Sequence, residues 1–591
     1  MIGLREEFPV VAMDFQTAGE ASAQIKRLLK KLGVNSGVVR RLSIACYEAE
    51  INLVIHSMGG RLTLIVDAHE VTLISDDDGP GIPDIDLAMS EGYSTATDDV
   101  RMMGFGAGMG LANMSRNADR FHIESKVGVG THIEMRFILG EHIAEGGILM
   151  ASSLHSVRLD KGKCVGCTNC LKRCPTEAIR IRAGRARILD EMCIDCGECI
   201  RVCTHHAKVA ITDPLSSIRR FRYRIALPAP TLYGQFKNLK NIDGILRGLI
   251  RMGFDDVFDV ARGADVVTRA VSERLKRPDA PHPLISSACP AVVRLIQVRF
   301  PELLDNIVDV RSPMEAAAAM ARREFCERNG VDPADVGCFF ITPCAAKATA
   351  IRSPIGHGKS AADGAISILE VYGLLSSQLR REKDAAAKEK HTDLAARHGS
   401  PRGIGWARSG GECTALNEDE ALAVDGIDNV SRVLEAIEND RLPDLRYFEG
   451  LACNGGCIGG PIVFENAFIA RNRIRRLVAE MSRADGGGDA LPEDALPEAQ
   501  LAFDRPVLPV ETLKLDADFS EALKKMDRIE EIHRKLPGLD CGSCGSPTCQ
   551  ALAEDIVRGY AREMDCLFLL KERVSDMAKQ MVEISELTRE K

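Results

Sequence analysis

The spacing of its cysteines constrains this chain more than any other feature of the sequence. Of 20 cysteines, sixteen fall into groups whose spacings are typical of metal ligands. Between Cys164 and Cys203 the pattern C-x2-C-x2-C-x3-C occurs twice. A CxxC spacing alone would also fit a pair of structural zinc sites, but eight cysteines in this double pattern favour iron–sulfur clusters. We therefore predict two neighbouring clusters that transfer single electrons.

The double pattern resembles the bacterial ferredoxins, in which the fourth cysteine of each run ligates the cluster of the other run. Pro175 follows the first run, as the family pattern expects, whereas Thr204 follows the second. The resemblance implies a bacterial-ferredoxin fold with two [4Fe–4S] clusters. One would be held by Cys164, Cys167, Cys170 and Cys203, and the other by Cys193, Cys196, Cys199 and Cys174.

Composition indicates a large folded protein without a nucleic-acid footprint. A length of 591 residues predicts about four domains, and the net charge of −9 comes with no basic face or arm. No apolar run approaches the roughly 20 residues of a membrane span, and the N-terminus shows no signal peptide. Twenty cysteines in such a chain favour metal ligation over disulfides. We expect a cytoplasmic protein of an anaerobe, because exposed clusters tolerate oxygen poorly.

Changes in composition divide the chain into the segments of a multidomain α/β protein. The first alternates amphipathic helices with β-rich runs, the second carries the double cysteine pattern, and the third repeats strand-then-helix patterning. A Gly-, Pro- and acid-rich linker, a compact helical unit with four cysteines and a charged amphipathic helix follow. The predicted boundaries are 1–146, 147–212, 213–478, 479–518, 519–570 and 571–591.

The first segment carries four short motifs in a specific order. Glu48 and Asn52 are four residues apart on one helix face. They are followed by Asp77-Asp78-Gly79-Pro80-Gly81, by a glycine-rich run over residues 104–110, and by Gly130-Thr131. This order resembles the GHKL ATP-binding family, an α/β sandwich, and most closely the small serine kinases of the anti-sigma-factor type.

The GHKL resemblance implies a role for each motif. Asn52 would coordinate Mg²⁺, Glu48 would activate the attacking hydroxyl or water, and Asp77 would accept a hydrogen bond from the adenine amino group. A domain that binds nucleotide without turnover, or binds none, is the alternative. The remaining implied nucleotide-binding residues, several of them in a lid that cradles phosphate, are Gly79, Gly81, Gly104, Gly106, Gly108, Gly110 and Thr131.

The long third segment contains the sequences SSACP at 286–290, TPCAAK at 342–347, SGGE at 409–412 and CNGGCIGGP at 453–461. Together they resemble the active-site domain of [FeFe]-hydrogenases, a two-lobed α/β domain, over about residues 222–475. The resemblance implies a [4Fe–4S] cubane of which Cys457 bridges to a two-iron subsite, with Lys347 donating a hydrogen bond to a cyanide ligand. The implied cubane ligands are Cys289, Cys344, Cys453 and Cys457.

This segment departs from the family pattern at three positions. Ala288 replaces the cysteine that relays protons to the two-iron site, and alanine has no proton to exchange, so fast H₂ turnover by that route is closed. Thr342 and Leu451 replace two methionines that surround the two-iron site. The pattern is similar to the sensory branch of the family, which keeps the cofactor but turns over slowly. A domain that retains the cubane without the two-iron subsite is the alternative.

The helical unit near the C-terminus carries the third group of cysteines. Cys541, Cys544, Cys549 and Cys566 resemble a widespread single [4Fe–4S] module that sensory [FeFe]-hydrogenases carry directly after the hydrogenase domain. The remaining four cysteines have no ligand spacing and are predicted to be core residues.

Two functional hypotheses follow. The first is a redox or H₂ sensor in which the state of the clusters is coupled to an ATP-binding, serine-kinase-like domain. The second is an electron-transferring or hydrogenase-like subunit of a larger anaerobic oxidoreductase, in which ATP binding is regulatory. The missing proton-relay cysteine and the kinase-like domain favour the first hypothesis, and the number of clusters favours the second.

The predicted cofactors are four [4Fe–4S] clusters, ATP and Mg²⁺, with a two-iron subsite as a further candidate. Slow hydrogenase turnover and serine-kinase or ATPase activity are the candidate reactions. The predicted partners are a ferredoxin or a flavin- or NAD-binding subunit, a regulator that is phosphorylated, and other subunits of an oligomer or complex.

Overall fold

In the computed structural model the chain forms two compact units. Unit one contains Met1–Gly147, Glu438–Arg441 and Glu511–Lys591, and unit two contains Ile148–Ile437 and Leu442–Val510. The structure describes residues 4–15, 17–67, 69–90, 92–96, 100, 106, 108–139, 155–237, 239, 241–385, 398–484, 496–510 and 514–589. Within these ranges, no helix is long and apolar enough to cross a membrane.

The structure contains short strands and helices of very different lengths. The strands are β1 Leu4–Val10, β2 Gly60–Val66, β3 Glu70–Asp77, β4 Arg120–Lys126, β5 Gly130–Ile138, β6 Val157–Leu159, β7 Ile179–Arg182, β8 Arg185–Ile188, β9 Lys208–Ala210, β10 Tyr223–Pro228, β11 Asp256–Val257, β12 Leu284–Ile285, β13 Val336–Thr342, β14 Gly364–Ser367, β15 Ala421–Asp425 and β16 Tyr447–Leu451. The helices are α1 Glu20–Lys31, α2 Ser36–His56, α3 Ile85–Ala88, α4 Gly110–Asn117, α5 Asn169–Lys172, α6 Glu198–Arg201, α7 Asp243–Arg251, α8 Val260–Leu275, α9 Pro290–Arg299, α10 Pro313–Asn329, α11 Ala345–Arg352, α12 Ile368–Ala385, α13 Pro401–Gly405, α14 Gly411–Leu416, α15 Ile427–Glu438, α16 Ala467–Ala484, α17 Glu498–Leu501, α18 Phe519–Lys535, α19 Cys549–Val557 and α20 Leu567–Arg589.

The N-terminal part of unit one is an antiparallel sheet covered by helices. Its strand order is β1-β2-β3-β5-β4. Buried and half-buried residues alternate along β3, as expected where one face of a sheet meets the core. Helix α2 begins where Asn35 accepts a hydrogen bond from the Gly37 amide (2.8 Å), an N-cap of ordinary geometry.

The C-terminal helices of unit one belong to the same hydrophobic core as this sheet. Leu515, Met526 of α18 and Leu552 of α19 form one continuous buried cluster with Leu32 and Phe137 of the N-terminal part. The predicted linker and cysteine unit are therefore packed on the N-terminal domain, at least from residue 514 onward.

Unit two contains two small hairpin-like pairs and two parallel sheets. Strands β6 and β9, and strands β7 and β8, pair antiparallel around the two cysteine runs. The parallel sheets have the orders β11-β10-β13-β14 and β12-β16-β15, each covered by helices. Two parallel sheets in one segment form the two-lobed α/β arrangement that the sequence predicted.

Part of the predicted linker 479–518 also has regular structure in unit two. Helix α16 continues to Ala484, and Leu496 and Leu501 are buried in a core of unit two. Ala502 forms an antiparallel bridge with Val310. Apolar residues in this low-complexity stretch therefore serve packing, which the composition of the segment did not reveal.

Candidate functional sites

The eight cysteines of the double pattern form two groups in the structure. Burial raises the pKa of the Cys170 thiol, and the nearby thiols of Cys167, Cys203 and Cys164 add to the rise. In the second group, burial and then the neighbouring thiols of Cys174 and Cys199 raise the pKa of Cys196. The groups are those expected when the fourth cysteine of each run crosses to the other cluster. Thiols that interact this closely are placed to share one cluster, which must displace their protons on binding.

Backbone amides donate to the crossing cysteines. The Ala178 amide donates to Cys174 Sγ (3.2 Å), and the Ala207 amide donates to Cys203 Sγ (3.3 Å). Each donor lies four residues after its cysteine, so the two cysteine runs are followed by the same kind of turn. Hydrogen bonds to ligand sulfurs stabilise thiolate and help to set cluster potentials.

The four cysteines of the hydrogenase-like segment converge around Lys347. Cys289 precedes α9, Cys344 precedes α11, and Cys453 and Cys457 follow β16. Burial alone would lower the pKa of Lys347, but the thiols of Cys457, Cys344, Cys289 and Cys453 outweigh it and raise that pKa. The Lys347 ammonium lies 3.6 Å from Cys457 Sγ. A cation surrounded by four thiols suits a negatively charged thiolate-bound cluster.

A cavity adjoins this cysteine group. Its wall includes Ala288, Lys347, Leu451 and Cys457, and its empty volume of ≈ 620 Å³ includes space open to solvent. Ala288 and Leu451, two of the three positions that depart from the family pattern, thus line the cavity. Thr342 does not line it; its hydroxyl accepts from the Cys344 amide (3.0 Å) and is wholly buried. The cavity is the place where the resemblance would put a two-iron subsite beside Cys457.

Two buried glutamates form another part of the cavity wall. Glu412 accepts from the hydroxyls of Ser286 (2.6 Å) and Tyr447 (2.5 Å). Glu449 accepts from the amides of Gly410 (3.0 Å) and Cys413 (2.9 Å). Burial, with the adjacent Glu449 charge, raises the pKa of Glu412 to about 8. The sequence offered SGGE only as a motif, so the acid character of this wall was not predicted.

A guanidinium connects the second cysteine run to the hydrogenase-like cysteines. Arg201 of α6 donates to the Gly459 carbonyl (2.8 Å) and pairs with Glu198 (2.9 Å). Burial would lower the Arg201 pKa, but a hydrogen bond to Cys453 and its charge outweigh burial and raise it. One side chain therefore contacts the surroundings of two predicted clusters, which the sequence gave no signal to find.

A buried charge network makes a second connection in unit two. Asp195, between two predicted ligands, bonds His155 Nδ1 (2.7 Å) and lies 3.7 Å from Arg294 of α9. Burial would raise the Asp195 pKa, but His155 and Arg294 outweigh it and lower that pKa. The cysteine run is thus fixed by charge to the helix that begins next to Cys289.

The predicted ATP-site residues Glu48 and Asn52 meet the start of α4. A Cβ placed on Gly110 would lie 3.2 Å from both Glu48 Oε2 and Asn52 Oδ1, so a larger residue here would require these two side chains to shift. Asn113 of α4 donates to Glu48 Oε1 (2.8 Å). Burial raises the Glu48 pKa, although the Asn113 hydrogen bond opposes the rise. A basic carboxylate and an amide oxygen at a glycine-opened helix start fit the predicted roles in metal and phosphate binding.

The adenine-binding motif lies at the end of β3. Asp77 accepts from the Gly79 amide (2.6 Å), and Thr131 is its partner on β5. Burial raises the Asp77 pKa, against amide hydrogen bonds from Gly79 and Thr131. Gly81 has a positive φ of 69°, which favours glycine at this turn.

The predicted lid is described only in part. Gly106 and Gly108 have positive φ values of 77° and 78°, and the Gly92 amide donates to the Gly108 carbonyl (2.9 Å). Gly104 lies outside the described residues, so its predicted role stays a prediction.

The four C-terminal cysteines lie in one loop and at the starts of two helices. Cys541 and Cys544 lie in the loop before α19, Cys549 is its first residue, and Cys566 directly precedes α20. Cys549 and Cys566 are buried within the core of unit one, and Cys544 packs against it. Four thiols from one short loop and two helix ends suit a single cluster.

Four family models match the chain. They are the "Histidine kinase-, DNA gyrase B-, and HSP90-like ATPase" at residues 37–141, the "4Fe-4S dicluster domain" at 156–204, the "Iron only hydrogenase large subunit, C-terminal domain" at 222–420 and 415–461, and the "Putative Fe-S cluster" at 536–568.

Three similar proteins match different parts of the chain: two are hydrogenases and one is a kinase. The periplasmic [Fe] hydrogenase large subunit of Nitratidesulfovibrio vulgaris is 30% identical over 213 residues, which is 33% of this chain and 51% of that protein. Iron hydrogenase 1 of Clostridium pasteurianum is 23% identical over 372 residues, 52% of this chain and 64% of that protein. The serine/threonine-protein kinase RsbT of Bacillus subtilis is 31% identical over 119 residues, 19% of this chain and 84% of that protein. The matches therefore span less than two thirds of either hydrogenase.

A solved structure is also similar to part of the chain. It is an [FeFe]-hydrogenase HydA from a study of stepwise H-cluster assembly, 15% identical, with a TM-score of 0.35 over 50% of this chain and 97% of that one.

The chain thus contains an iron-only-hydrogenase large-subunit domain, joined to an N-terminal GHKL ATPase-type domain similar to RsbT and to ferredoxin-like and C-terminal iron–sulfur modules. The resemblances of these four parts and the multidomain α/β fold class are confirmed, and the similarity to the sensory branch stays a prediction. It is an iron–sulfur redox protein with an ATP-binding domain.

Proposed function

We propose that the protein is a redox sensor in which the C-terminal [4Fe–4S] module controls the ATP site of the GHKL domain. The hydrogenase-like site and the ferredoxin-like clusters are its input, and ATP binding or phosphorylation of a regulator is its output. The observation that carries this proposal is the core of unit one, which contains Cys549 and Cys566 together with the helices of the ATP-binding domain.

Specific contacts lead from the module to the ATP site. Helix α19 begins at Cys549, and its Glu554 forms an ion pair with Lys31 at the end of α1. The Leu515 amide also donates to the Lys31 carbonyl (3.1 Å). A displacement of α19 on oxidation or reduction would therefore act directly on α1.

Helix α1 is held at its other end by the helix of the ATP site. The buried Glu50 carboxylate on α2 accepts from the amides of Gly19 (2.9 Å), Ala21 (3.1 Å) and Ser22 (2.9 Å). Glu50 lies two residues from Glu48 and two from Asn52. Contacts at both ends of α1 therefore connect the module to the ATP site. A measured coupling free energy between the two sites would establish that this connection transmits a signal.

Calorimetric titration of Mg·ATP into oxidised and reduced protein tests the proposal. We expect Mg·ATP to bind the oxidised and the reduced protein with different affinities, because a displacement of α19 would reach the ATP site through α1. Such a difference measures the coupling free energy between the two sites. Asn52→Ala should weaken Mg²⁺-dependent binding, whereas Glu48→Ala should spare binding and abolish phosphoryl transfer, which alone needs a base.

The link itself can be tested with a matched pair of variants. Lys31→Met should reduce the difference between the two redox states, and Arg27→Met should leave it intact, because Arg27 is an exposed residue of the same helix that bonds its own helix carbonyl. Equal Mg·ATP affinities in both redox states of the natural protein would contradict the sensor function.

A second candidate is an electron-transferring subunit of an oxidoreductase complex, and the Arg201 contact favours it. A guanidinium near Cys453 stabilises the electron-rich state of a cluster there. Arg201→Met should lower the reduction potential of that cluster, and Arg201→Lys should restore part of it. Co-purification with a flavin- or NAD-binding subunit, and redox-independent ATP affinity, would support this candidate over the sensor.

We also propose that a two-iron subsite occupies the cavity next to Cys457. The retained cavity and the Lys347 ammonium support it. Infrared spectra of anaerobically purified protein should show CO and CN⁻ bands, and Ala288→Cys should raise slow H₂ turnover. Spectra without these bands would leave the cubane alone in this site.

A further inference from the structure

Helix α20 presents a row of large apolar side chains to solvent. Leu567, Leu570, Val574, Met577 and Met581 are between 40% and 70% exposed. The beginning of the helix contacts the core of unit one, where Cys566 is buried and Leu569 packs against it. The exposed apolar row therefore faces away from the contacts that anchor the helix.

The row follows a heptad rather than the period of an ordinary surface helix. Its members are separated by three, four, three and four residues, and Ile584 continues the series in the sequence. This 3.5-residue period assigns Leu567, Val574 and Met581 to positions a, and Leu570 and Met577 to positions d. An a/d row is the contact surface of a coiled coil, whereas a helix that lies on its own domain has a broader apolar stripe. Phe568 and Val582, both at position b, are further exposed apolar residues of α20.

The residues beside the row favour pairing with an identical helix. At positions e and g the sequence has Lys571, Arg573, Ala578, Gln580 and Ser585, with no acidic residue among them. In a parallel pair, Arg573 would face Ala578 of the other copy, so these positions bring no like charges together. Each layer of the pair would bring like apolar residues together across a two-fold axis.

We propose that α20 pairs with the same helix of a second copy of this chain as a two-stranded coiled coil, which makes the protein a homodimer. Its 23 residues amount to little more than three heptads, and an isolated helix of this length is marginal in water. A partner that buries the a and d residues stabilises it. Because the coiled coil is short, we expect a dissociation constant of about 1 µM rather than 1 nM.

Light scattering of the full, cluster-loaded chain tests the proposal over about 1 to 100 µM. The expected mass is twice 64.3 kDa at the upper end. Met577→Lys puts a charge at a d position and should raise the dissociation constant at least about tenfold. Val582→Lys is the matched control, because Val582 is an equally exposed residue (57%, against 56% for Met577) at an outward position of the same helix.

Three outcomes would overturn the proposal. One is a monomer at every concentration, including a monomer that co-sediments with anionic lipid vesicles through this helix. Another is a dimer that Met577→Lys does not weaken. The third is an equal loss of dimer in Met577→Lys and Val582→Lys, because only a seam with heptad geometry distinguishes these two positions.

Discussion

The two units both join an iron–sulfur module to a second site, but by different physical means. In unit one, Cys549 and Cys566 of the module are part of the hydrophobic core of the ATP-binding domain. In unit two, charged side chains connect the modules, through the buried Asp195 network and through Arg201 beside Cys453. A shared apolar core transmits a change of packing, because a close-packed core is displaced rather than deformed. A charge network instead transmits a change of potential, and no movement is needed.

The largest effect should follow from removing the C-terminal cluster. Cys549→Ser removes a buried ligand at the first residue of α19. The iron content should fall by about four atoms, from about sixteen to about twelve for the cubanes alone, or from about eighteen to about fourteen with the two-iron subsite. Because metal binding contributes to folding and the core is shared, the ATP-binding domain should lose stability together with the module. Anaerobic iron analysis and thermal unfolding measure the two effects.

Cys326→Ser is the control for this variant. Cys326 is a half-buried cysteine outside the predicted ligand groups, and iron content should remain unchanged. If Cys549→Ser loses iron but the ATP-binding domain unfolds at the original temperature, the two parts of unit one are independent, and the comparison between the units fails.

A smaller effect should appear in unit two as a pH dependence. The Glu412 pKa of about 8, against 4.5 as its ordinary value, means that the folded state favours the protonated acid. Stability from this group is therefore complete below about pH 4.5 and is lost as the pH rises toward 8. Glu412→Gln keeps partners for Ser286 and Tyr447 without a charge.

We expect the stability advantage of Glu412→Gln over the natural protein to grow from pH 5 to pH 8, as measured by unfolding at each pH. Glu420→Gln, an exposed residue beyond the same helix, should show no such growth. A pH-independent difference would mean that Glu412 is already ionised in the folded protein.

Sequence patterns predicted the cysteine groups because their spacing is local and the crossing of the fourth ligand follows from the ferredoxin pattern. Glu48 and Asn52 could be placed together because four residues separate neighbours on one helix face. Arg201 and Asp195 could not be found, because their partners are distant in the chain and each is an ordinary charged residue in its own segment. Glu412 belongs to the SGGE motif, but its buried position beside Glu449 could not be predicted for the same reason.

The position of the C-terminal module on the ATP-binding domain was equally hidden. The residues that make the shared core, such as Leu515 and Leu552, look like those of any amphipathic helix or linker, and more than 400 residues separate them from Leu32. Apolar periodicity shows that a helix face is buried but not which surface covers it.

The smallest predicted effect concerns that shared surface of unit one. Burial, followed by the charge and a hydrogen bond from Glu530 of α18, raises the pKa of Glu6 on β1 to about 7, although Arg534 opposes the rise. The folded state thus favours protonated Glu6, and the associated stability is lost as the pH rises from about 4.5 to 7. Because Glu6 is partly solvated, we expect about 1 kcal/mol.

Glu6→Gln should remove this pH dependence, so that its advantage over the natural protein grows between pH 5 and pH 7 and then stays constant. Glu7→Gln is the matched control, since Glu7 is the next residue of β1, is exposed and pairs with Arg5 (3.2 Å). If Glu6→Gln also changes the redox dependence of Mg·ATP affinity while Glu7→Gln does not, the contact between β1 and α18 takes part in the coupling. If both variants behave alike at every pH, the carboxylates of Glu6 and Glu530 do not face each other in solution. Packing alone would then join the module to the ATP-binding domain.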